Sequence, residues 1–310
     1  RPIKKVGVYV PGGNYPLMST VLMNVIPAQV AGVDQIIVCT PPQTDRDINP
    51  NILSVCHNLG IKDIFQVGGA QAIAAMTYGT ETIPKVNKIV GPGNRYVAAA
   101  KQYISNCVGI DMVAGPTELV IIVDESANPT FIAADLISQA EHDQDAFTLL
   151  LSTEKNIIEK TQSEINRLLK SLNTKATATE SFLNNGFAFL ANSIDECIEI
   201  SNHIAPEHLS IQTKNVETLH NECIAGAIFL GQETPVAWGD YWAGPNHTLP
   251  TSGAAHYRGL LNVLDFLVPF SVTKGSVNQK SIQAIISLAE AEGLMGHVLS
   301  ARLRERDILC

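Results

Sequence analysis

No two of the six cysteines form a C-x-x-C pair: Cys39, Cys56, Cys107, Cys197, Cys223 and Cys310 are scattered along 310 residues. That excludes a thiolate zinc cage, a redox dithiol motif and a disulfide framework, and leaves thiols suited to a reducing cytoplasm. Charge is scarce at 16%, and positive charge scarcer, with 21 lysines and arginines against 30 acids and a formal net charge of −9. Such a surface repels nucleic acid and anionic membrane, and no cluster of basic residues offsets it. No apolar run approaches the length of a membrane span, and no signal peptide is visible in a chain that opens on Arg1. The expectation is a cytoplasmic protein that binds neither nucleic acid nor membrane. The spacing G-x-G-x-x-G is missing too, so no dinucleotide site follows from a fingerprint.

What is present is apolar residue, 45% of the chain, enough for about two domains with substantial cores. The first third repeats one theme, a short apolar strand, a glycine turn and a helix. Strands are expected at 6–10, 35–39, 63–67 and 88–90, with helices at 19–30, 50–59, 70–78 and 95–107. A second series has strands at 119–123, 147–151, 187–190, 209–212 and 227–230. Its helices are expected at 130–142, 154–172, 194–203 and 216–225. Strands alternating with helices imply parallel sheets covered on both faces, here two doubly wound α/β units in tandem. From about Val263 the pattern changes, and 281–303 reads as one long terminal helix.

In open parallel sheets, ligands bind beyond the strand C-termini. Gly12-Gly13, Gly68-Gly69 and Gly91-Pro92-Gly93 occupy such ends just before helices, where backbone N–H groups can meet a phosphate. Ordinary turns would look the same. On the helix expected at 130–142, Asp135, Gln139 and His142 fall at i, i+4 and i+7 and share a stripe. An amide oxygen and an imidazole there could serve one metal, although the stripe alone reads more readily as a solvated polar face, and glutamine is outside the usual zinc set. Glu207-His208 places a carboxylate beside an imidazole before a strand, a pairing suited to proton transfer or to plain packing. The stretch from Gly239 to Thr251 (GDYWAGPNHTLPT) has no periodicity and mixes Asp, Asn and His with glycine and proline, as loops that position side chains do. Glu292 and His297, five apart, do not stack on one helix face, and Glu290 lies closer to the histidine's side.

The segments VGVYVPGG, GGAQAIAA, GPGN, DMVAGPTE, SQAEH, APEHL, GDYWAGPNHTLPTSG and AEGLMGH, taken in order over nearly the whole chain, resemble the histidinol dehydrogenase family. The resemblance implies two incomplete Rossmann-like domains, at 1–118 and 119–260, and a helical dimerisation tail at 261–310. It also implies an intertwined homodimer. It places zinc, one per subunit, on Gln139, His142, Asp240 and His297, and the catalytic pair on Glu207 and His208. Contacts to L-histidinol fall on Thr117, His247 and Glu292, besides the zinc ligands and His208; NAD contacts fall on Tyr9, Gln71 and Asn94. Glu292 and His297 would complete the site of the other subunit. The family's N-terminal segment is expected to be absent. Two positions depart from the family pattern: Thr117 stands where serine is expected, and Val236 where an acid is expected.

The implied reaction is a four-electron oxidation of L-histidinol to L-histidine through the aldehyde, with NAD reduced twice. Two rivals remain. A related zinc dehydrogenase of another polar alcohol, such as a sulfonated diol, would want a cation where this chain keeps Glu292. A non-catalytic α/β binding protein leaves Glu207-His208 beside the metal loop without a purpose.

Overall fold

The computed structural model describes residues 1–12, 16–43 and 47–305. It divides into two units, Arg1–Val268 and Pro269–Cys310. The first series of the larger unit runs β1 (Lys5–Tyr9), α1 (Met18–Ala31), β2 (Gln35–Thr40), α2 (Pro50–Asn58) and β3 (Asp63–Gln66). It continues through α3 (Gly69–Tyr78), β4 (Lys88–Val90), α4 (Arg95–Ile104) and the two-residue β5 (Gly109–Ile110). These strands form an all-parallel sheet in the order β3-β2-β1-β4-β5. Alternation along the strands separates its two cores. Val6, Val8, Val10, Ile36 and Val38 meet α1 and α2 through Val21, Val25 and Ile52. Tyr9, Ile37, Cys39 and Ile89 meet α3 and α4 through Ile73, Met76 and Val97.

The second series runs β6 (Glu118–Val123), α5 (Pro129–Ala140), β7 (Phe147–Ser152), α6 (Lys155–Leu168), α7 (Lys175–Asn185) and β8 (Gly186–Leu190). It closes with α8 (Ile194–Ile204), β9 (His208–Gln212), α9 (Val216–Leu219), β10 (Ala227–Leu230) and α10 (Val236–Tyr241). Its sheet order is β10-β9-β6-β7-β8, all parallel. Numbered within each series, both sheets read 3-2-1-4-5, the order of a doubly wound fold one strand short of six. The tandem Rossmann-like reading is thus confirmed, and right-handed crossovers explain why helices cover both faces. Leu119, Ile121 and Val123 pack on α5 and α6, while Val120 and Ile122 pack toward α8. No described helix is long and apolar enough to cross a membrane.

Three local expectations need correction. The helix expected to reach 142 ends at Ala140: Glu141 N–H still makes the helical bond to Ile137 O, but His142 N–H turns back to Gln139 O. His142 therefore stands past the helix and does not extend the stripe of Asp135 and Gln139. The stretch expected as one helix to 172 is α6, a short 3-10 turn at Leu169–Ser171, and the unforeseen α7. In the smaller unit, the expected single terminal helix is two, α11 (Gln279–Ala291) and α12 (Met295–Glu305). Gly293 has φ +73, its N–H bonds Glu290 O, and Leu294 N–H bonds Ala289 O. That paired return is a Schellman stop, for which glycine removes the left-handed penalty. Ile282, Ile286 and Ala289 then pack on Val298 and Ala301 of α12, and Glu290 pairs with Arg302 at 2.7 Å.

Candidate active site

In a βα series each helix runs back against its strand, so its C-terminal end returns to the edge where the next strand begins. The second sheet gathers chemistry at that edge, not at its strand C-termini. Thr117 and Glu118 open β6, Gln139 lies near the end of α5 before β7, and Glu207 and His208 follow α8 and open β9. The register sets Leu119 beside His208, which brings the first two openings together.

The Thr117 hydroxyl stands 2.6 Å from Glu207 Oε2 and 3.0 Å from Gln139 Oε1. It has one proton, and the charged, nearer acceptor takes it. The same Glu207 Oε2 accepts the Glu118 N–H at 3.1 Å, and Glu118 Oε2 accepts the Glu207 N–H at 3.2 Å. His208 is buried, with Nδ1 at 3.1 Å from Glu118 O and 3.6 Å from Glu207 Oε2. A carbonyl oxygen only accepts, so Nδ1 is the nitrogen that donates in this bond. His208 Nε2 is buried and has no hydrogen-bond partner. The approach to this edge is tight. Ala205 adopts a left-handed conformation, φ +46, to end α8 two residues before Glu207. A Cβ on Gly226 would lie 2.7 Å from Glu207 O.

The aperiodic stretch splits in two. Gly239, Asp240 and Tyr241 belong to α10, which packs on α5; the rest is loop. Asn246 donates to Met23 O of α1 at 2.6 Å, and Thr251 Oγ1 accepts the Gly115 N–H at 2.7 Å. The loop thereby ties α1 to the approach to β6. It carries His247, whose ring feels the charges of Asp240, His208 and Glu207; burial is the largest influence and lowers its pKa. His247 Nε2, like that of His208, is buried without a partner.

The structure thus brings Thr117, Gln139, Glu207 and His208 into direct contact, with Asp240 and His247 within electrostatic reach. His142 is exposed beyond α5. Glu292 caps the C-terminus of α11 and His297 lies in the first turn of α12, both exposed in the smaller unit. Among the described residues no three of His, Cys, Asp and Glu form a metal-holding group. The expected zinc ligands His142, Asp240 and His297 are thus not gathered into such a group within the described chain.

The glycine turns line the C-terminal edge of the first sheet, with Gly13 outside the described residues. Added Cβ atoms on Gly12 and Gly68 would lie 2.7 Å and 2.4 Å from Pro41 side-chain atoms, so close approach alone already demands glycine there. Tyr9 is buried at the end of β1, and its Oη accepts the Gly69 N–H at 3.1 Å; burial raises its pKa. Gln71 is exposed in the first turn of α3. Asn94 caps α4, its Oδ1 accepting from Tyr96 and Val97 N–H. Sequence reasoning missed Glu118, although a carboxylate directly before the apolar run of β6 was a visible oddity. It also missed Lys101 and Asp111, which meet in the core behind the Gly91 turn. A cavity of about 230 Å³ beside Asp111 and Arg258 is lined by none of the expected site residues.

Two parallel sheets covered by helices, with glycine turns on one and a part-buried carboxylate beside a buried imidazole on the other, make an α/β protein with the parts a dehydrogenase uses. A family model described as histidinol dehydrogenase matches residues 1–305. Histidinol dehydrogenase of Listeria monocytogenes serovar 1/2a is 49% identical over 308 residues, 98% of this chain and 72% of that protein. That of Clostridium acetobutylicum is 49% identical over 311 residues, 98% of this chain and 71% of that protein. The crystal structure of histidinol dehydrogenase from Elizabethkingia anophelis superposes with a TM-score of 0.93 at 44% identity, covering 100% of this chain and 72% of that one. An acetylating aldehyde dehydrogenase from Geobacillus thermoglucosidasius shares the fold alone, with a TM-score of 0.56 at 13% identity over 90% of this chain and 77% of that one. The chain belongs to the histidinol dehydrogenase family, NAD-dependent oxidoreductases that convert histidinol to histidine.

Proposed function

We propose that Glu207 and His208 carry the chemistry of this oxidation, which proceeds from L-histidinol through the aldehyde to L-histidine. The observation that supports this most is the division of labour on one imidazole. His208 Nδ1 is committed to Glu118 O, and Nε2 is buried with nothing to bond. A side chain held in that tautomer takes the alcohol proton at Nε2 as hydride leaves the carbinol carbon. Glu207 has its Oε2 engaged by Thr117 and by the Glu118 N–H. Its other oxygen carries neither bond and takes a proton from the water that attacks the aldehyde carbon. His208 then serves again in the second oxidation.

Family membership implies zinc as well as NAD. The donor set fits a borderline cation: Gln139 Oε1 is not the acceptor that takes the Thr117 proton, Asp240 lies on the helix packed against α5, and two buried imidazole nitrogens nearby lack partners. Gln139, His142 and Asp240, with His297 from a second copy, would hold the ion. When bound, zinc orients the amino alcohol and polarises its oxygen, and NAD accepts the hydride. Tyr9, Gln71 and Asn94 would receive the dinucleotide at the first sheet's edge. Thr117 and His247 face the substrate, and Glu292 of the second copy meets its cationic group. In this arrangement residues 1–118 serve the cofactor, save Thr117 and Glu118 at the edge of the second sheet, 119–260 the metal and the reaction, and 261–310 an intertwined homodimer working in the cytoplasm.

The test is reduced-nicotinamide absorbance on adding histidinol, with and without a chelator, for the native protein and for His208→Asn. Turnover should collapse in the variant while its zinc content stays at the native level. A retained rate refutes the base assignment.

A further inference from the structure

Glu207 and His208 carry the proposed reaction, and a second acid, Glu118, bonds to both. Glu118 spends all four of its polar groups on this edge. Its N–H donates to Glu207 Oε2 at 3.1 Å, and its carbonyl accepts His208 Nδ1 at 3.1 Å. Its Oε2 accepts the Glu207 N–H at 3.2 Å, and its Oε1 accepts the Ser252 N–H at 3.0 Å. A backbone alone could supply the first two bonds, whatever the side chain. The last two need a carboxylate, because two backbone donors from segments 45 residues apart in sequence converge on it, each claiming its own oxygen. Ser252 adopts a left-handed backbone, φ +57, followed by Gly253 at φ +76. A non-glycine residue stays there only when its surroundings over-determine it, and the bond to Glu118 Oε1 is part of that constraint. Burial raises the Glu118 pKa, against the lowering effect of the Ser252 and Glu207 N–H donors.

We infer that Glu118 is the positioning residue of the catalytic pair: its side chain fixes the backbones of Glu207 and Ser252, while its own backbone fixes the Glu207 carboxylate and the tautomer of His208. This rests on the reading of Glu207 and His208 as the groups that move protons. The role is one of geometry, and Glu118 touches neither substrate nor cofactor in it.

Glutamine at this position offers one acceptor where two donors arrive, so one N–H would face an amide NH₂. Aspartate keeps both acceptors on a stem one methylene shorter. In the zinc-loaded protein, Glu118→Gln should lower kcat by about tenfold or more while the KM for NAD, set at the other sheet, changes by less than about twofold. Glu118→Asp should recover part of that kcat. A folded Gln variant with native kcat overturns the inference, as does a loss confined to the KM for NAD. Should the Gln variant fail to fold, the Asp variant decides: lowered kcat with native KM for NAD supports the role, and native kcat overturns it. Glu207→Gln and His208→Asn belong in the same series. If those two keep native turnover, the catalytic assignment itself has failed; if they collapse beside an unaffected Glu118→Gln, only the positioning role has.

Discussion

Lys101 and Asp111 form an ion pair with side-chain exposures of 2% and 1%, and between them they hold both polar groups of Gly91. Asp111 Oδ2 accepts the Gly91 N–H at 2.7 Å, and Lys101 Nζ donates to Gly91 O at 2.9 Å. Gly91 has φ +107, and a Cβ there would lie 2.1 Å from Tyr9 O. The turn that leads to Asn94 is therefore pinned from behind by charge and from the side by the end of β1.

Removing one partner of such a pair strands the other in the core. Lys101→Met keeps most of the stem but leaves Asp111 charged and the Gly91 carbonyl unmet. The expected loss is about 3–5 kcal/mol of stability, read from denaturant melting. If Asn94 contacts NAD as proposed, the KM for NAD should rise as well in whatever folded protein remains. A loss below about 1 kcal/mol would show that the pair contributes like an exposed one.

The Thr117 hydroxyl reaches Glu207 Oε2 at 2.6 Å. Thr117→Val keeps the shape and removes the donor to Glu207 Oε2. A hydrogen bond to a charged group is worth about 1.5–3 kcal/mol, so kcat/KM should fall roughly tenfold to a hundredfold. Thr117→Ser should stay close to native. Equal activity in Val and Ser variants would mean the hydroxyl does not orient the carboxylate.

The alternation of apolar strands with glycine turns was enough to read both sheets, since periodicity and turn chemistry are local. What escaped was also local, but weak in signal. β5 is two residues, Gly109–Ile110, with no apolar run to mark it, and α7 (KATATESFLNN) carries little helical amphipathicity. Gly293 broke the tail where a helical pattern ran straight through it. At the site, Glu207 and His208 could be suspected because they are adjacent. The role of Glu118 could not, because its partners lie 89 and 134 residues away, the first brought in by the parallel register and the second by a loop. Nor could sequence say that the second sheet would use the edge where its strands begin.

Asp135 supplies a pH signature. Burial pushes its carboxyl up to about 6, against bonds from Val236 N–H and the Gln212 amide. An acid whose folded pKa exceeds its unfolded value, here 3.8, holds its proton more tightly when folded. Its contribution to stability is therefore fullest below about pH 4 and falls as pH rises to about 6, by roughly 3 kcal/mol in all. Asp135→Asn removes the titration. Its carbonyl can accept the Val236 N–H, and its amide can meet Gln212 Oε1, which has no partner in the native protein, once that side chain turns over. Melting curves of the two proteins should diverge across this window, with the variant the more stable at pH 7. Parallel curves would sink the assignment.

Gly226 tests how little room there is at the edge that holds Glu207 and His208. Its N–H bonds Pro206 O, and the next residue's N–H bonds Glu207 O at 2.9 Å, so the chain entering β10 runs directly beside the pair. A Cβ there would lie 2.7 Å from Glu207 O, 3.1 Å from Pro250 Cδ and 3.2 Å from Leu249 Cβ. Its φ is not positive, so Gly226→Ala acts through contact rather than backbone strain. One methyl must push either the Glu207 carbonyl or the loop at Leu249-Pro250, both of which belong to the site. The expected cost is about 1–3 kcal/mol in melting. It should come with a kcat loss larger than that of a surface Gly→Ala change such as Gly275→Ala, whose Cβ meets nothing within 4 Å. A variant that melts lower yet turns over at the native rate would mean that the edge absorbs the methyl by moving the loop, and that the loop's position does not matter to proton transfer.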